Sequence, residues 1–157
     1  MVEQLQEMRE LHEQLLLAAR NKQKSMRSGD LGALDSWAAR EKFLIDRITA
    51  TDAARRQTAE DLARTLGMEE PVTLTRLADR LAEPGRSRLL ALAGVVRGLA
   101  EQIYQANQVN DAVTRELLDC FAHMQRHYTA AHCDIGLYDT RGQRQLIAAV
   151  NLLDAVG

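Results

Sequence analysis

From Leu92 to His127, apolar or small residues return at alternating intervals of four and three. Val96, Ile103, Asn110, Leu117 and Met124 take heptad position a, and Leu99, Ala106, Val113, Cys120 and His127 take d. A stripe sustained over several heptads belongs to a helix that needs another helix lying nearly along it. If this helix runs from about Arg86 to His132, it is roughly 70 Å long at about 1.5 Å per residue. It cannot cover its stripe within its own segment, so other segments must fold back along it.

The rest of the chain supplies such segments. The spacing predicts a helix over about 2–27, with Leu5, Met8, Leu11, Leu15 and Ala18 on one face. Its acids come early and its bases late, which suits the helix dipole. Ser28-Gly29-Asp30 reads as a stop followed by a new N-cap. A second helix is predicted over 31–66, with Gly67 as its stop. Leu34, Trp37, Leu44, Ile45 and Ile48 mark the first half of its face, and Leu62 and Leu66 its end. Between Thr49 and Asp61 only alanines are apolar, which implies thin packing or a bend there. A short helix is predicted over 73–82 on the stripe Leu74, Leu77 and Leu81, and Glu83-Pro84-Gly85 breaks it from the long helix.

Composition agrees with this reading. The 157 residues suffice for one domain, and 46% apolar content is enough to build a core. Aromatics are only 4%, with two prolines and nine glycines. Leu, Ala, Arg, Glu and Gln dominate, a set that favours helices and argues against an all-β, Rossmann or disulfide-scaffold fold. Twenty-two acids against twenty bases leave a formal charge of −2, which disfavours nucleic-acid binding. The start of the chain is amphipathic and acidic, unlike a signal peptide. The longest apolar run, Leu89 to Val96, is too short to span a membrane. The cysteines Cys120 and Cys133 form no framework, which implies a reduced, cytoplasmic protein. The expected fold is therefore all-α: an elongated antiparallel bundle over 1–133, then a loop and an apolar tail over 134–157. The tail carries Leu146, Ile147, Val150, Leu152, Leu153 and Val156. It either docks on the bundle or waits for a partner to cover it.

Catalytic chemistry is hard to find. No phosphate-binding glycine loop, CxxC, HExxH or GxSxG motif is present. His123 and His127 have the i, i+4 spacing of metal ligands, with His132 and Cys133 nearby. The same histidines equally suit a seam and a helix C-terminus, so no metal and no cofactor is expected. Asn110 at position a is either a register-setting core amide or part of a partner site. Asn107 beside it either bonds to a neighbouring helix or stays solvated, and Tyr138 either packs on the bundle or is presented for docking.

Asn107-Gln108-Val109-Asn110, Leu117-Leu118 and Leu137-Tyr138-Asp139-Thr140-Arg141-Gly142 together resemble FlgN-type flagellar export chaperones. That family carries an N-x-x-N pair on its last long helix, then a Y-x-x-x-G segment. Leu5 to Leu17, Lys22, Lys24, the Ser28-Gly29-Asp30 break, Glu41 to Ile48, Arg55 and Thr73-Leu74-x-x-Leu77 fit its earlier helices. The resemblance implies a cytoplasmic, non-enzymatic chaperone that holds the hook–filament junction proteins FlgK and FlgL unassembled. It would deliver them to the type III export gate, where FlhA is the dock. It assigns client contact to Asn107, Asn110, Leu117, Leu146, Ile147, Val150 and Leu153, and gate contact to Tyr138. The residues alone also allow a structural coiled coil that self-associates, or a chaperone for another flagellar or type III client; the chain is expected to be a monomer or a homodimer.

Overall fold

Two glycines set the ends of the first two helices. Gly29 (φ 68°) and Gly67 (φ 62°) adopt the left-handed conformation that a side chain resists. At the first, Gly29 N–H donates to Met26 O and Asp30 N–H to Ser25 O. At the second, Gly67 N–H donates to Arg64 O and Met68 N–H to Ala63 O. Both are Schellman closures, in which crossed bonds satisfy the last carbonyls of the helix. In the computed structural model α1 spans Val2–Ser28, α2 Leu31–Thr65, α3 Leu74–Ala78 and α4 Gly85–Cys133. The structure describes residues 1–68 and 73–133, and the backbone of 137–138 and 144–145; from residue 130 onward only backbone is described. The chain divides into two units, Met1–Val113 and Thr114–Gly157.

Asp30 caps α2, its Oδ1 accepting from Ala33 N–H at 2.9 Å, as the sequence anticipates. Thr73 caps α3 through Oγ1, which accepts from Arg76 N–H. The third helix is shorter than the expected 73–82, because Asp79 and Arg80 turn away after Ala78. Its stripe is nonetheless used: Leu77 is fully buried, and Leu74 and Leu81 are partly so.

In the first unit the apolar face of α1 is buried at every predicted position: Leu5, Met8, Leu11, Leu15 and Ala18. Leu16 and Ala19 are buried too, so α1 is covered on two sides. Leu11, Leu15, Leu16 and Ala18 form one cluster with Leu44 of α2 and Ile103 of α4. Leu5 and Met8 form another with Ala78 and Leu89. Higher residues of α1 thus meet higher residues of α4, and the two helices run parallel. Helix α2 runs antiparallel to them, with Gln4 bonded to Thr58 at 3.0 Å and Gln14 to Arg40 at 2.8 Å. Lys22 and Glu41 form a largely buried ion pair across the same interface.

Two expectations for α2 need correction. Ile45 is 50% exposed and Leu66 also faces solvent. The buried stripe runs instead through Glu41, Leu44, Thr51, Ala59 and Ala63, following the helical period past Ile45 beside Leu44. Between Thr49 and Asp61 only Thr51 and Ala59 are buried, while Ala50, Ala53 and Ala54 are exposed, so the middle of α2 is thinly packed as its alanines imply; packing resumes toward its end. Ala59 and Ala63 take Leu77, Met1, Leu62 and Met68 against their small side chains. Asp52, Arg55 and Arg56 lace its edge with ion pairs at 2.8 Å.

In the second unit Leu137–Tyr138 (β1) pairs antiparallel with Arg144–Gln145 (β2), in the register Leu137 with Gln145 and Tyr138 with Arg144. The expected loop over 134–142 therefore contains one arm of a minimal hairpin. Apart from this pairing, the described residues form an all-α fold.

Candidate partner-docking surface

The α4 seam changes character along its length. In the first unit Ile103 and Asn110 are buried, and Leu99 and Ala106 pack against the core. Asn110 is 2% exposed and its amide donates to Ala19 O at 3.0 Å. An amide in this position ties α4 to the backbone of α1 and fixes their register. Asn107, one turn earlier, is half-buried, and its Oδ1 is shielded from water with no donor among the described residues.

In the second unit the same heptad phase continues without cover. Leu117 (39% exposed), Cys120, Met124 and His127 are all exposed. Leu118 (63%) and Phe121 (61%) widen the stripe, and Tyr128 is exposed farther along. Sequence reasoning singled out Leu117 and missed Phe121. The signal was present: a two-helix seam needs only a and d, so apolar residues at the flanking b and e positions mark a broader contact surface.

The candidate metal ligands are only partly described, since the side chains of His132 and Cys133 lie outside the described residues. The His123 and His127 rings stand 4.5 Å apart, but no group of three or more His, Cys, Asp or Glu converges among the described residues. A cleft lined by Gly67, Met68, Arg76, Asp79 and Arg80 holds guanidinium groups and one carboxylate, which is already paired with Arg86 at 2.9 Å. Among the described residues no helix is long and apolar enough to cross a membrane. Tyr138 lies in β1, where its backbone pairs with Arg144. The tail positions Leu146, Ile147, Val150 and Leu153 lie outside the described residues, as do the side chains of Tyr138, His132 and Cys133.

Residues 1–145 match the family model described as FlgN protein. The chain belongs to the FlgN family. This is the family of flagellar export chaperones, and the match covers all four helices and the hairpin. A search of curated proteins gives no match. A search of solved structures gives none either. A bundle holds α4 in place through Asn110, and the apolar face beyond it has the spacing of a helix-binding surface.

Proposed function

We propose that the chain is a cytoplasmic export chaperone, without enzymatic activity, for the hook–filament junction proteins FlgK and FlgL. It keeps them unassembled and delivers them to the export gate, where it meets FlhA. The observation that carries this reading is the exposed stripe Leu117, Leu118, Phe121 and Met124 in a chain of the flagellar export chaperone family. Exposed apolar side chains at heptad spacing take up an amphipathic helix of a client. On this reading Leu117 touches the client, as do Leu146, Ile147, Val150 and Leu153 of the tail. Asn107, half-buried beside the seam, is a further client contact, and Asn110 holds the helix in register from beneath. Tyr138 is the residue presented to the gate.

The test is titration calorimetry of the full chain against the purified C-terminal region of each junction protein. Saturable one-to-one binding is expected. Phe121→Asp lowers the affinity at least about tenfold, since a buried unpaired charge costs more than 1.4 kcal/mol. Tyr138→Ala leaves client affinity unchanged and weakens capture by the cytoplasmic domain of FlhA. Heat with neither client would overturn the client assignment and favour a different flagellar cargo or a self-associating structural protein.

A further inference from the structure

Within the second unit, Thr114–Gly157, one apolar spacing occurs twice. On α4 the exposed side chains Leu117, Leu118, Phe121 and Met124 fall at i, i+1, i+4 and i+7. In the tail Leu146, Ile147, Val150 and Leu153 fall at i, i+1, i+4 and i+7 as well. Each set makes one face of a helix. From Leu146 onward the only charged side chain is Asp154, so the tail has little to hold its apolar face in water.

The tail lies outside the described residues, but the hairpin fixes where it starts. Leu137, four residues past the end of α4, pairs with Gln145, and Leu146 follows at once. The loop between the two arms therefore adds no reach. Four extended residues, one strand spacing and one further residue span at most about 23 Å. Seated antiparallel on the stripe, Leu146 lies level with Met124, about 14 Å back along α4 and about 9 Å to its side, a path of roughly 17 Å. Seated parallel, Leu146 lies level with Leu117, roughly 26 Å away by the same geometry and beyond the tether. The antiparallel seat also matches level by level, with Leu153 beside Leu117, Val150 beside Phe121, and Leu146 and Ile147 beside Met124.

We propose that the tail of this chain is the resident occupant of the Leu117–Met124 face of α4, seated antiparallel through Leu146, Ile147, Val150 and Leu153. A segment on so short a connection meets the face at an effective concentration on the order of millimolar, an advantage that a second copy or a free partner lacks. Four side chains against four make a marginal pair, so the seat opens readily. A client helix that takes this face must displace the tail; that consequence rests on the export-chaperone reading, whereas the seat itself does not.

The seat is tested without a client, on the full chain carrying Cys120→Ser and Cys133→Ser. Leu117→Cys with Leu153→Cys is expected to form an intrachain disulfide on mild oxidation at least about tenfold faster than Leu117→Cys with Leu146→Cys. The seat sets positions 117 and 153 at one level, and positions 117 and 146 about 10 Å apart along the axis. Val150→Asp, added to the faster pair, is expected to slow linkage about fivefold or more by setting an unpaired charge against Phe121. Circular dichroism checks that each variant keeps its helices, and non-reducing mass spectrometry separates linkage within one chain from linkage between two. Equal rates for the two pairs, no effect of Val150→Asp, or linkage between chains rather than within one would each overturn the proposal.

Discussion

Asn110 shows how one polar side chain organises a helix pair. Its amide reaches a backbone carbonyl on α1 rather than another side chain, so the bond survives substitution of Ala19 but not of Asn110. Asn110→Ala is expected to lower unfolding free energy by about 1–2 kcal/mol, measured by urea denaturation. Asp52 shows a different kind of control. Burial alone pushes its carboxyl up, but the Arg55 hydrogen bond and charge, with Arg56, bring it below its ordinary value of 3.8. Hydrogen bonds from the Ser87 side chain and backbone, with Arg86 nearby, likewise hold Glu83 below 4.5. Both carboxylates are held in the charged form by the fold. Their contribution is present above the ordinary carboxylate range and is lost as pH falls through the depressed folded values. Asp52→Asn is therefore expected to flatten the fall in stability below about pH 4, measured by thermal melts across an acid series.

At the scale of the helix, the difference between neighbours on the period becomes decisive. Leu44 is fully buried and Ile45 is half-exposed, although both belong to one apolar run. Leu44→Ala is expected to cost about 2–5 kcal/mol, and Ile45→Ala under about 1 kcal/mol, by chemical denaturation. Helix ends were the most legible part of the sequence. A glycine followed by a capping aspartate leaves few alternatives, and Gly29 and Asp30 behave as their chemistry requires. The α4 seam was legible as well, because a repeat of four and three admits one structure. The thin middle of α2 was legible too, since Ala50, Ala53 and Ala54 are exposed. Its end was not: nothing in the residue list marks Ala59 and Ala63 as the alanines that pack with Leu77. The short β1–β2 pairing was also hidden, since two residues per strand are too few to show a period.

At the scale of the whole chain, the candidate site was half legible. Periodicity placed Leu117, Met124 and Asn110 on one stripe and could not say which of them the chain covers itself. A heptad looks the same whether its partner is another part of the chain or another molecule. The structure separates these cases: Asn110 is enclosed and Leu117 is not.

The change in cover along α4 also sets a gradient in how its backbone protects its own amide protons. Near Ile103 and Asn110, opening the helix means breaking side-chain packing as well as the backbone ladder. Around Phe121, where the side chains face solvent, the ladder has far less to reinforce it. Amide hydrogens there should exchange with deuterium well before those near Ile103, because local opening costs less where few apolar contacts must be given up. The helix thus carries its own reporter: whatever seats on Leu117, Phe121 and Met124 will be seen as slowed exchange at that turn, without a label on either molecule.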